Sequence, residues 1–276
     1  MTADRIHRAT SADETEIAGP VYGQGPPLVL AHGGLDDGTL SWETLLPLLT
    51  DRFTCFVPSM RGRGHSADHA DHRPERHAED LAAFVDSIGE PVGLVGYSTG
   101  GFSACGAAAR GAAASALALV ESAVFEYWEE GEDAERFQGG VVKMHEAVAQ
   151  SQLADGARAI LRAFANDEEM AAMEQAGTFE RCGRSVPDLL RVLEQAEDTE
   201  APSPNDPAEL AKITVPCLLL YGSRTTTAHA DSTRYLAKHL SDARLRELEG
   251  VGHIAPILAP EPVAAELTRF FEETLT

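Results

Sequence analysis

LVGYSTGG, residues 94–101, decides the reading of this chain. An apolar run, PVGLVGYS (91–98), ends there, and a run of small residues, GGFSACGAAARG (100–111), follows without a gap. The first reads as a buried strand and the second as a helix, which puts Ser98 on the turn between them. Gly96 and Gly100 flank it in G-x-S-x-G spacing. By itself that pattern is weak, because it recurs by chance. The strand–turn–helix context gives it weight: such a turn lifts a serine hydroxyl above the sheet edge beside a helix N-terminus. The plain alternative is a Gly-rich turn whose serine caps the helix.

Similar runs extend in both directions. PPLVLAHGG (26–34), FTCFVPS (53–59), ALALVES (116–122), PCLLLYGS (216–223) and the less apolar ARLRELEG (243–250) read as further strands, the last nearer an edge. Helical patterns fall at 41–49, with Ser41 as N-cap, and at 73–89 and 260–275. Strands alternating with helices imply a parallel sheet covered on both faces. Residues 126–200 carry no strand pattern and read as acidic helices, and the Pro-rich stretch 201–210 reads as the return linker.

A serine hydroxyl is a poor nucleophile until a base takes its proton. His253, in LEGVGHIAP just after the sixth run, is the candidate base. Acyl transfer also needs donors for an oxyanion. The N–H groups of Gly34, in LAHGG, and of Thr99, next after the serine, are candidates.

HGG (32–34), RGRGHS (61–66), GYSTGG (96–101) and GVGH (250–253) follow one another in an order and spacing that resemble the α/β-hydrolase superfamily. The resemblance runs through nearly the whole chain except 126–200. It implies an α/β fold with a mostly parallel eight-stranded sheet flanked by helices and a helical cap inserted after strand 6. The core would comprise 1–124 and 206–276, with the cap at 125–205. A hairpin is implied at TEIAGPVYGQG (15–25). Ser59 stands where many members carry Asp, a position expected to be structural.

One element of the resemblance is missing. Most members place an acid in a G-x-x-D loop after the penultimate core strand, to orient the histidine. Here Gly222-Ser223-Arg224-Thr225 puts a threonine there. Three answers stay open. Glu121 ends the strand ALALVES, and parallel strands deliver their C-terminal ends to one edge; some members resemble this arrangement, with the acid on that earlier strand. Asp231 is the second, although it reads better as N-cap of DSTRYLAKHL (231–240). The third is that there is no acid.

Composition narrows the function classes. The chain has 276 residues, 43% hydrophobic, with 44 acidic against 22 basic residues and a net charge of −22. Such a surface repels nucleic acid and anionic membranes. No apolar run suggests a signal peptide or a membrane span, so a soluble cytoplasmic protein is expected. Cys55, Cys105, Cys182 and Cys217 show no metal or redox spacing and are expected to be reduced. His65, His69, His72 and His77 fit no zinc pattern. The acidic run 129–135 reads as a solvated surface.

The expectation is therefore a serine hydrolase. Ser98, His253 and Glu121 would cleave a small or medium carboxylic ester, lactone or thioester through an acyl-enzyme. No cofactor or metal is expected, the partner is a small molecule, and the state is a monomer or homodimer. Gly33, Tyr97, Phe125 and Trp128 are the candidate pocket residues, with Phe137, Met144, Phe164, Met170, Met173 and Phe179 as further ones. A carbon–carbon bond hydrolase, a perhydrolase, a cyclase or lyase, and a non-catalytic ligand-binding protein are the alternatives.

Overall fold

The structure is a computed structural model and describes residues 2–124 and 130–275. Eight strands form one sheet: β1 (Arg5–Thr10), β2 (Glu16–Tyr22), β3 (Pro27–Ala31), β4 (Thr54–Phe56), β5 (Val92–Tyr97), β6 (Ala114–Val120), β7 (Cys217–Gly222) and β8 (Ala243–Leu248). Their order is β1-β2-β4-β3-β5-β6-β7-β8. The β1–β2 and β2–β4 pairs are antiparallel; from β4 to β8 every pair is parallel. Strands β3, β5 and β7 are buried along their whole length, as unbroken apolar runs require when helices cover both faces. At the edge, β8 leaves most of its residues exposed or half-buried.

Helices α1 (Leu46–Leu49) and α12 (Pro260–Thr274) cover one face, packing Trp42, Leu49, Phe270 and Phe271 against the sheet. On the other lie α2 (Pro74–Asp86), α3 (Thr99–Ala109) and α10 (Thr227–His239), through Phe84, Cys105 and Leu236. Between β6 and β7 come α4 (Glu132–Ala149), α5 (Leu153–Leu161), α6 (Asp167–Gln175), α7 (Thr178–Gly183), α8 (Val186–Ala196) and the short α9 (Pro207–Leu210). The short α11 (Ala255–Leu258) precedes α12. Met144, Ile160, Met170, Phe179 and Leu190 of the inserted helices share a core with Leu35, Leu40 and Ile254, from loops at the C-terminal edge of the sheet. The insertion thus closes onto that edge. No helix among the described residues is long and apolar enough to cross a membrane.

Four local expectations need correction. The hairpin is not 15–25: β2 is its second arm and β1 its first. Residues 11–15 turn the chain through Ser11 N–H to Thr15 O at 2.8 Å, with Glu14 at φ 69°. Ser41 caps no helix, because the Asp36 carboxylate captures the N–H groups of Gly38, Leu40 and Ser41 (3.1, 2.9 and 2.6 Å) and holds 36–41 as a loop. Nor does Asp231 cap a helix. Helix α10 starts at Thr227 under Thr226, which accepts the His229 N–H, and Asp231 sits inside it, paired with Arg234 at 2.9 Å. Finally, the acidic run is not all solvated surface, since Asp133 accepts the Ala228 N–H at 3.0 Å in the first turn of α10.

Other motif residues have structural partners. Arg61 is fully buried and grips both carboxylate oxygens of Asp80 (2.7 and 2.6 Å) and one of Asp13 (2.9 Å). Ser59 donates to Asp37 O at 2.7 Å and accepts the His65 N–H. All four cysteines are free and buried.

The β5–α3 turn depends on missing side chains. A Cβ on Gly96 would lie 2.5 Å from the Gly101 Cα, and one on Gly100 would lie 2.3 Å from Ala31 O. Backbone cannot retreat as a side-chain tip can, so Gly100→Ala is expected to lower stability by about 1–3 kcal/mol, read as a lower urea midpoint. A second expectation concerns acid. His77 on α2 and His229 on α10 are buried, and burial pushes both well below the ordinary histidine value. Each therefore stays neutral in the fold but takes a proton in the unfolded chain near pH 6.5. Their contribution is complete above that value and is lost as pH falls below it. The loss in urea midpoint from pH 7.5 to 5.5 is expected to shrink in His229→Gln; an unchanged loss would contradict this account.

Candidate active site

Parallel strands end on one edge, and four of them bring the candidate residues together. Ser98 follows β5 with φ 53° and ψ −122°. Its N–H donates to Val120 O at 3.0 Å, and its carbonyl accepts the Gly101 N–H at 2.9 Å. Glu121 follows β6 with φ 50°, its N–H on Leu220 O at 2.8 Å. Two adjacent strand ends thus hold non-glycine residues at positive φ, a strain that persists only where surrounding bonds enforce it. Ser98 is half-buried, and its Oγ has no hydrogen bond among the described residues.

The threonine in the G-x-x-T loop has a partner that explains it. Thr225 Oγ1 donates to Glu121 Oε2 at 2.6 Å, and the Gly222 N–H donates to Glu121 Oε1, also at 2.6 Å. Nδ1 of His253 lies 3.3 Å from the same Oε2. Glu121 is 1% exposed and His253 3%. A buried carboxylate survives only if its lone pairs are satisfied, and here three donors converge on it. The carboxylate beside His253 is thus that of Glu121, at the end of β6, and the loop after β7 supplies a hydroxyl to it. Asp231 lies on the surface with Arg234.

His253 is held from several sides. Tyr97 donates its hydroxyl to the His253 carbonyl at 3.1 Å. The next N–H, of Ile254, donates to Glu169 Oε1 at 2.8 Å. Glu169 belongs to α6, where Asn166 and Glu169 form a reciprocal capping box. Burial pushes its carboxyl above the ordinary value, against the pull of the Asn166 and Ile254 N–H groups. The His229 ring stacks on His253 with centroids 4.1 Å apart and planes inclined 31°. Its Nδ1 lies 3.0 Å from Thr226 Oγ1. Burial, then the His253 charge, lowers its pKa.

Glu121, His229 and His253 offer ligand atoms within 4.8 Å of one another, the one such group among the described residues. Stacked imidazoles, however, hold their in-plane lone pairs in separate planes, here 4.1 Å apart at the ring centroids and inclined 31°, whereas a tetrahedral metal needs them to converge. The geometry suits a hydrogen-bonded acid–base pair better. Of the histidines at 65–77, His72 pairs with Asp68 at 3.0 Å and His69 accepts the Asp71 N–H.

Ser98 and His253 line a chamber of about 80 Å³ with Gly33, Gly34, Tyr97 and Thr99. Phe137, Phe164 and Met173 of the insertion face it, while Met144, Met170 and Phe179 are used in the insertion's own core. Phe125 and Trp128 lie outside the described residues. A Cβ on Gly34 would be 3.3 Å from Thr99 Oγ1, so these two segments run side by side. Thr99 opens α3, where the first N–H groups have no intrahelical acceptor and the helix end is electropositive. His229 and Glu169 escaped the sequence reading. Glu169 had a signal, the N-x-x-E capping box; His229, one residue in a polar loop pattern, had none.

Comparison with known proteins agrees with this architecture. A solved α/β hydrolase from Sphaerobacter thermophilus superposes with a TM-score of 0.77 at 27% identity, over 96% of this chain and 100% of that one. Pimeloyl-[acyl-carrier protein] methyl ester esterase of Vibrio campbellii is 38% identical over 87 residues, 30% of this chain and 31% of that protein. The soluble epoxide hydrolase of a Corynebacterium is 35% identical over 103 residues, 37% of this chain and 36% of that protein. The chain thus spans about a third of the length of these curated relatives. A family model described as the alpha/beta hydrolase family matches residues 28–266, from β3 into α12. With a match across most of the sheet and both ends of the Ser98–His253 arrangement, the chain belongs to the alpha/beta hydrolase family.

Proposed function

We propose that the chain is a serine hydrolase acting on carboxylic esters, lactones or thioesters of small-molecule size. The observation that carries this reading is the buried Glu121–His253 pair, with His253 and Ser98 lining one chamber. With Nδ1 donating to Glu121, His253 keeps the lone pair of Nε2 to take the Ser98 proton. Ser98 Oγ then attacks the carbonyl carbon, and the N–H groups of Gly34 and Thr99 hold the developing oxyanion. His253 gives its proton to the departing oxygen, or to the sulfur of a thioester, and Glu121 stabilises the imidazolium meanwhile. Water, activated by the same histidine, releases the acid.

The serine argues against epoxide opening, which the resemblance associates with an aspartate at this position. A non-catalytic ligand-binding role is the second reading; the three donors on Glu121 count against it, since binding alone needs no oriented acid. The helices between β6 and β7 are proposed to act as the cap, with core at 1–124 and 206–276 and cap at 125–205. A cytoplasmic monomer or homodimer is proposed with it.

A fluorophosphonate is expected to label Ser98 rapidly in the folded protein, with the site read by mass spectrometry. Glu121→Gln should slow both labelling and ester turnover by about 10³–10⁴-fold, as loss of the acid does in other triads. Wild-type rates in that variant would remove Glu121 from the mechanism. Thr225→Val takes one donor from a charged acceptor, an interaction of about 1.5–3 kcal/mol, of which the part felt in the transition state should lower kcat by about tenfold. An unchanged kcat would make Thr225 a bystander.

A further inference from the structure

Behind Gly34 and Thr99 lies a second chamber of about 360 Å³, against about 80 Å³ for the one containing Ser98 and His253. Both have Gly34, Thr99, Phe137, Leu189 and Leu193 in their walls, so they adjoin at the proposed oxyanion pair. Neither Ser98 nor His253 lines the larger one. That asymmetry sorts the two halves of an ester. The departing alkoxide takes its proton from His253, so the alcohol half belongs in the small chamber. The acyl carbon is bonded to Ser98 Oγ, its oxygen lies at Gly34 and Thr99, and the rest of the acyl group continues past them into the large chamber.

Size then bounds each half. A dry cavity of about 150 Å³ accepts one benzene. The small chamber, at about 80 Å³, is near half of that and suits a short alkyl group but no aromatic ring. At about 360 Å³ the large chamber exceeds it more than twofold and has room for fused rings or a medium-length chain. Its wall is mainly apolar, with Met60, Phe102, Val192, Ala196 and Pro204.

A few buried polar atoms interrupt that wall. Among the described residues Arg63 Nε and Thr99 Oγ1 have no hydrogen-bond partner and the His77 ring has the His72 backbone beside it, but these atoms are closed off from the open space of the chamber. Arg63 spends another nitrogen on the carbonyls of Gly34 (2.5 Å) and Asp36 (3.2 Å). Asp188 lies 3.9 Å from its Nε, so the guanidinium charge is already opposed.

We propose, resting on the ester-hydrolase reading above, that the substrate is a short-alkyl ester of a bulky, apolar acid. In the step concerned, the Ser98 Oγ–acyl bond forms and the acyl–alkoxy bond breaks. The serine proton passes through His253 to the leaving alcohol, and water later restores the serine.

Two constitutional isomers test the orientation: methyl 2-naphthylacetate, with the bulk in the acyl half, and 2-naphthylmethyl acetate, with it in the alcohol half. The wild-type kcat/KM is expected to be at least tenfold higher for the first. Ala196→Trp, which puts a ring into the large chamber, should reduce that ratio at least tenfold. A ratio of one or below, with Ser98 labelled by a fluorophosphonate, overturns this proposal while the hydrolase reading stands. So does labelling with neither isomer cleaved. No labelling and no cleavage overturns both.

Discussion

A carboxylate removed from water must be satisfied where it sits, and the arrangement around Glu121 follows from that constraint. Its two oxygens take a strand-end N–H from Gly222, the Thr225 hydroxyl and the His253 ring. Each donor belongs to a different segment at the C-terminal edge: the end of β7, the loop beyond it and the loop after β8. The backbone at Glu121 itself is forced to φ 50° to aim the side chain there. Were the carboxylate absent, a buried N–H, a hydroxyl and an imidazole would each lose an acceptor at one point. The ends of β6, β7 and β8 are therefore tied by one group as much as by their ladders.

Much of this was legible in the sequence, for reasons that differ by element. The core strands β3, β5 and β7 could be read because a parallel strand buried on both faces has to be an unbroken apolar run. The turn at Ser98 was legible because its glycines are sterically obligatory: Gly96 and Gly100 face backbone at under 3 Å from where a Cβ would be. Glu121 stood out as a lone acid ending an apolar strand. The loop 222–225 raised the right question but hid its answer, since a threonine's hydrogen-bond partner 104 residues away leaves no local pattern.

What sequence could not give depended on long-range competition for hydrogen bonds. Ser41 looked like an N-cap, but Asp36 takes the N–H groups that would have started a helix. Asp231 looked like one too, but Thr226 and Asp133 serve the first turn of α10 from five residues earlier and from the insertion. His229 reaches the site because that earlier start rotates it against His253. A one-turn error in a helix start is enough to hide a residue that lies 4.1 Å from the proposed base.

The bond from Ile254 N–H to Glu169 carries a consequence for how such a protein can diversify. Glu169 is part of the insertion, the region free to vary if new ligands are to be admitted, yet it fastens the backbone next to His253. An insertion transplanted from a relative would arrive without that fastening unless its own helix offered an acceptor at the same point. Exchange of whole insertions is then constrained by one carboxylate. Drift in the chamber-lining side chains, such as those of Phe137, Leu189 and Leu193, leaves the fastening intact and is the easier route to a new specificity.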